Sequence, residues 1–107
     1  MGDSKVGAEQ RERKLVLRPI IGLTANLSST DLEQITARAI RKHRRLRDIA
    51  ESKEQDLKGS LPKDALVDTV GAARLAYIEA MVDMHAQQAV VSTLLDLLGY
   101  IPTVTDN

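Results

Sequence analysis

The 107-residue sequence contains no cysteine, no tryptophan and no phenylalanine, and Tyr77 and Tyr100 are its two aromatic side chains. Without cysteine, disulfides and thiolate metal centres are excluded. Without aromatic bulk, a core must come from Leu, Ile, Val, Met and Ala, which suits helices packed on helices better than a sheet. No apolar run is long enough to span a bilayer, and the first residues lack the apolar block of a secretion signal. These absences predict a soluble, cytoplasmic chain that does not engage a membrane. A net charge is also missing, but its parts are separated. Through Gly59 there are 13 basic and 9 acidic residues and from Ser60 onward 2 and 6, so the halves carry +4 and −4. Such asymmetry is compatible with head-to-tail or antiparallel association.

The length fits one domain, with about two-thirds of the unfolded surface buried on folding. Residues 1–14 are charged and poor in apolar content and read as a mobile arm; residues 15–107 form a single helical domain. Residues 15–24, LVLRPIIGLT, hold seven apolar or proline positions in ten. Pro19 opposes a continuing helix and pushes Arg18 toward extended geometry, so this stretch reads as an extended apolar segment that docks on the helices or on a partner. Thr30 and Glu33 have the spacing of a capping box, opening a first long helix over about 31–57. Its apolar face is Leu32, Ile35, Ala39, Ile40, His43, Leu46, Ile49, Ala50 and Leu57, and Lys58-Gly59 supplies a stop. A short helical turn is expected over about 62–70, after Pro62, and a second long helix over about 72–98. Gly99 can cap that helix, Tyr100 can fold back on Leu95, and Pro102 prevents continuation.

The second long helix carries two apolar seams. One is Tyr77, Met81, Met84, Gln88, Val91, Leu95 and Leu98; the other is Leu75, Ile78, Val82, His85 and Ala89. Residues three and four apart share a face, and one stripe suffices to cover a helix's own core. Two stripes require two packing partners, and in so short a chain the second is a copy of itself or another protein. The expectation is therefore an all-α homodimer of two-helix antiparallel hairpins with an extended N-terminal arm. Met81, Met84, Gln88, Val91, Leu95 and Leu98 are assigned to the dimer seam, Gln88 as a register-setting polar residue, and the first long helix to the Leu75 side.

Arg38, Arg41, Lys42, Arg44, Arg45 and Arg47 form a basic run. Helical phasing sets Arg38, Arg41, Arg44 and Arg45 opposite the apolar face, as a nucleic-acid ridge would need. Asp48, Glu51, Glu54 and Asp56 follow at once, Arg44–Asp48 and Arg47–Glu51 are four apart, and stacking aromatics are missing. A solvated or protein-facing ridge is favoured, with direct nucleic-acid binding through residues 38–47 the alternative. His43 and His85 fall on apolar faces with no third ligand aligned, so metal binding is not expected. No nucleophile–base pairing, glycine-rich phosphate loop or HExxH occurs, so no enzyme chemistry and no cofactor are specified; a helical enzyme using its arginines to hold an anionic substrate is the third reading.

Three strings, LRPIIGLT, SSTDLEQITARAIRKHRRL and YIEAMVDMHAQQAVVSTLLDLLGYIP, resemble TraM, the quorum-sensing antiactivator family of agrobacteria and rhizobia. The resemblance covers residues 17–46 and 77–102, while the connection between Gly59 and Gly71 departs from the family pattern in length and composition. It implies a small all-helical homodimer, without enzymatic activity, that binds TraR, a LuxR-type activator of plasmid conjugal-transfer genes, through its DNA-binding domain so that promoter DNA is not bound. By motif, it places partner contacts at Leu23 in IGLT, Leu61 in SLP and Tyr77 in YIEA. Arg18 and Pro19 in the apolar segment, and Arg41 and Arg45 on the basic ridge, complete the expected partner surface.

Overall fold

The computed structural model describes residues 17–64 and 71–105, the side chains of residues 60–64 aside. It contains helices α1 (Arg18–Thr24), α2 (Ser29–Asp64) and α3 (Ala72–Leu98), and the described residues form no strand. The all-α expectation holds. α2 and α3 pair antiparallel: Gln87 of α3 meets Ala39 of α2, while Tyr100, beyond the end of α3, meets Glu33 near the start of α2.

The segment holding Pro19 is helical rather than extended. Leu17 is its extended N-cap and Pro19 falls in the first turn, where a proline removes no intrahelical hydrogen bond and brings its φ already set. Proline therefore starts this helix instead of preventing it. α2 opens earlier than the Thr30 box predicts. The Asp31 amide donates to Ser28 Oγ at 3.1 Å and the Leu32 amide to the Ser28 carbonyl at 2.9 Å, making Ser28 the N-cap. Glu33 is thereby released from capping and accepts a hydrogen bond from the Tyr100 phenol. α2 also runs through Lys58-Gly59 and Pro62 to Asp64. A helical glycine costs about 1 kcal/mol against alanine, too little to stop a helix of this length. Of the turn expected over 62–70, residues 62–64 belong to the end of α2 and 65–70 lie outside the described residues.

At the end of α3, Gly99 adopts φ 88°, and its amide donates to the Leu95 carbonyl at 2.9 Å. That is the left-handed cap a glycine provides without a Cβ penalty. The tail then turns back over α2. Pro102 is buried and the Val104 carbonyl accepts from Arg44 Nη1 at 3.2 Å.

The interior is thin. Among the described residues the buried apolar side chains of the helices are Ala39, Ala50, Ala80 and Leu94. Three alanines let two helix axes approach closely, and two polar side chains there find backbone acceptors: Gln87 Nε2 donates to the Ala39 carbonyl at 3.0 Å and the fully buried Thr36 hydroxyl to the Leu32 carbonyl at 2.7 Å. Ala80, Gln87 and Leu94 recur every seven residues and so share one side of α3. α2 lies on that side, which overturns its expected place on the Leu75 side. Leu75, Ile78 and Val82 face away from it, 51%, 40% and 61% exposed. Gln88, expected to set the register, is exposed, and its neighbour Gln87 makes the buried bond.

Candidate protein-interaction surface

Among the described residues three apolar areas stay open. The first is the Leu75–Ile78–Val82 strip on the outer side of α3. Beside it the seam of Tyr77, Met81, Met84, Val91, Leu95 and Leu98 is half-buried within the chain, so α3 keeps apolar surface on two adjoining sides. The second is Ile35 and Ile49, which the sequence assigned to the α2 core and which sit on its flank at 39% and 47% exposure. The third surrounds α1. Leu17 anchors this short helix by donating its amide to Thr93 Oγ1 at 3.0 Å, and Thr93 itself is almost wholly buried and donates to the Ala89 carbonyl at 2.9 Å. Between α1, the following turn, the start of α2 and the end of α3 runs a groove of about 280 Å³ lined by Ile21, Thr24, Ala25, Leu27, Ser29, Leu32 and Leu97. Leu23 projects from α1 with 82% of its surface exposed, and Ile101 in the tail is 80% exposed. Contiguous open apolar surface of this kind is unusual on a chain that functions alone.

The sequence-selected partner residues do not form one cluster. Arg18, Pro19 and Leu23 lie together on exposed positions of α1, at the end of the hairpin where α2 begins and α3 finishes. Tyr77 is half-buried near the start of α3, 16 residues before Thr93, a rise of about 24 Å along the helix. The backbone of residue 61 is near the end of α2, toward the same end as Tyr77; the Leu61 side chain lies outside the described residues. Arg41 and Arg45 occupy the middle of α2, half-buried and exposed respectively. A partner that touches all of them must lie along the hairpin.

Three polar residues that organise this surface were not singled out by sequence: Thr36, Gln87 and Thr93. The signal for Gln87 was present in its seven-residue spacing from Ala80 and Leu94. No sequence signal distinguishes Thr93 from a threonine on a wet face, since its burial depends on α1 arriving from a distant part of the chain. His43 lies half-buried with its Nε2 enclosed and unpartnered among the described residues. Burial, reinforced by the Arg47 guanidinium and the His85 imidazole, holds its pKa below the ordinary 6.5. The Tyr100 phenol, donating to Glu33, is raised above its ordinary 10.0.

Comparison with known proteins supplies the context. Residues 1–103 match the family described as prokaryotic transcriptional repressor TraM. The chain is 47% identical over 95 residues to a transcriptional repressor TraM of Agrobacterium fabrum, covering 89% of this chain and 91% of that protein. It is 44% identical over 97 residues, with the same coverages, to a transcriptional repressor TraM of Rhizobium radiobacter. Its fold matches the crystal structure of a second quorum sensing antiactivator, TraM2, from A. tumefaciens strain A6, with TM-score 0.73 and 48% identity over 83% of this chain and 98% of that one. No helix among the described residues is long and apolar enough to cross a membrane.

Proposed function

Since this chain belongs to the TraM family of transcriptional repressors, a regulatory and not an enzymatic family, we propose that it is an antiactivator that binds TraR, a LuxR-type quorum-sensing activator. Binding blocks the activator's access to promoter DNA in the cytoplasm and so represses plasmid conjugal-transfer genes. The observation that carries this reading is Leu23, presented bare on α1 at 82% exposure beside the groove around Ile21, Leu27 and Leu97. Apolar anchors of this kind dominate interface energies, and α1 is built from the LRPIIGLT string that carries the family resemblance. Arg18 and Pro19 flank the anchor on the same helix, and Tyr77 and Leu61 extend the contact toward the far end of the hairpin.

The working unit is a homodimer whose self-association face lies on α3. The half-buried seam of Met81, Met84, Val91, Leu95 and Leu98, with exposed Gln88, borders the open Leu75–Ile78–Val82 strip. Together they make a broad apolar side that the hairpin covers only in part, and among the described residues the buried apolar side chains of the helices are three alanines and one leucine.

A promoter-DNA mobility shift with liganded activator tests the function. Titrating in this protein should abolish the activator–DNA band, with no shift of DNA by this protein alone, and Leu23→Asp should require at least about tenfold more protein, one anchor being worth about 2 kcal/mol or more. An untouched activator band would refute the proposal. A shift by this protein alone would transfer the function to the basic ridge.

A further inference from the structure

α2 concentrates positive charge in a way that neither hairpin packing nor the apolar partner surface uses. Arg41, Arg44 and Arg45, at spacings of three and four, project from one side of the helix, and Arg47 joins them around a single concavity of about 240 Å³ whose only acidic lining residue is Asp48. Asp48 is engaged by Arg47, Nη2 to Oδ1 at 3.6 Å. Arg44 is held in place by donating Nη1 to the Val104 carbonyl of the returning tail. Arg41 and Arg45 have no partner among the described residues. Like charges one helical turn apart repel, so Arg41 and Arg45, four residues apart on this side of the helix, leave a repulsion in the crevice that a bound anion would relieve.

We propose that Arg41, Arg44, Arg45 and Arg47 form a binding site for a diphosphate-type anion. Guanidinium forks match phosphate oxygens bidentately, and the tail's grip on Arg44 fixes one fork before the ligand arrives. The crevice, at about 240 Å³, is larger than a single phosphate requires, which favours a diphosphate. No aromatic residue lines it, so the site reads the phosphates and not a base stacked beside them. The ligand's source is therefore either free inorganic diphosphate or the diphosphate end of a nucleotide. The proposal stands independently of the antiactivator reading.

The test is calorimetric titration of the full chain with inorganic diphosphate and with ADP, each at fixed ionic strength so that general screening is held constant. One saturable site per chain is expected. Diphosphate binding with ADP weaker assigns the site to the free anion, and ADP as tight as diphosphate assigns it to a nucleotide's phosphate end. The double variant R41Q/R45Q should bind at least about tenfold more weakly, as loss of charge-assisted bonds implies. The equally charge-reduced control R38Q/K58Q, altered at exposed positions outside the crevice, should bind as the parent does. Circular dichroism checks that the variants are folded, and R45Q alone, at an exposed position, serves if the double variant is not. Heat no greater than for chloride, or equal weakening in the control, overturns the proposal. So does tighter binding of a glutamate-rich peptide or of a DNA duplex that is lost in the same double variant, because the ridge would then be a macromolecular surface.

Discussion

Among the described residues, α1 is tied to α3 by the hydrogen bond from Leu17 to Thr93, and Thr93→Val tests what that tie does. Valine keeps the shape of threonine and removes the acceptor that Leu17 N–H meets at 3.0 Å. The hydroxyl's bond to the Ala89 carbonyl costs little to lose, because that carbonyl lies inside a helix and accepts there as well. In the docked state the Leu17 amide would be left without this acceptor in a half-buried position, a penalty of about 1–3 kcal/mol. α1 is only seven residues long and none of them is buried, so it has little other docking energy to absorb the loss. The docked-to-undocked ratio should fall by about 5- to 160-fold. Amide hydrogen exchange reads this directly. The Ile20 and Ile21 amides, bonded to the Leu17 carbonyl at 3.0 and 3.4 Å, should lose protection while amides in the middle of α2 and α3 keep theirs. Thr93→Ser, which retains the oxygen, should restore protection. Unchanged protection in the valine variant, or a serine variant as exposed as the valine one, would refute the claim that this bond holds α1.

Three further outcomes follow from the geometry, each measured at fixed protein concentration because self-association would contribute to stability. Leu94→Ala empties the largest fully buried side chain and should lower urea stability by about 3 kcal/mol; a loss below about 1 kcal/mol would mean that the hairpin does not depend on it. Gly99→Ala meets no atom within 4 Å but must hold φ 88°, so it should cost about 1–2 kcal/mol from backbone strain alone, seen as a lower urea midpoint with unchanged slope. His43 takes up a proton less readily in the folded chain than in the unfolded one, where its value is near 6.5. Its effect on stability should therefore be nil above that pH. Destabilisation should grow as the pH drops below it, and stop growing once the pH is under the depressed folded value. His43→Gln should flatten this part of the pH–stability curve, and an unchanged profile would exclude His43 as its source.

The long elements were legible in the sequence because helix periodicity is a local property: the apolar spacing of α3 and the Gly99 stop are visible residue by residue. Sequence and structure part where the outcome depends on competition. Pro19 reads as a breaker until its place in the first turn is known, and Ser28, Ser29 and Thr30 are all chemically able to cap, so only the tertiary pairing of Glu33 with Tyr100 separates them. The side of α3 that meets α2 was misread for a related reason. Bulky Leu75, Ile78 and Val82 advertise burial more strongly than Ala80 and Gln87, yet close helix approach favours the small residue, and a glutamine that reaches a backbone carbonyl is better buried than it looks. The surface around Leu23 was legible through a resemblance in sequence. The groove beside it was not, since it joins the turn after α1 to Leu97, far along the chain.

The three buried alanines change how this hairpin can fail. A core of leucines is damaged by trimming, as holes open where methyl groups were. At Ala39, Ala50 and Ala80 there is almost nothing to trim, and every substitution except glycine adds volume between two closely set rods. Mutation there acts as a wedge, prying the helices apart along their length and moving the faces on their outer sides with them. Drift at three inconspicuous small residues could thus change the spacing of partner contacts on the two rods while leaving each contact residue intact.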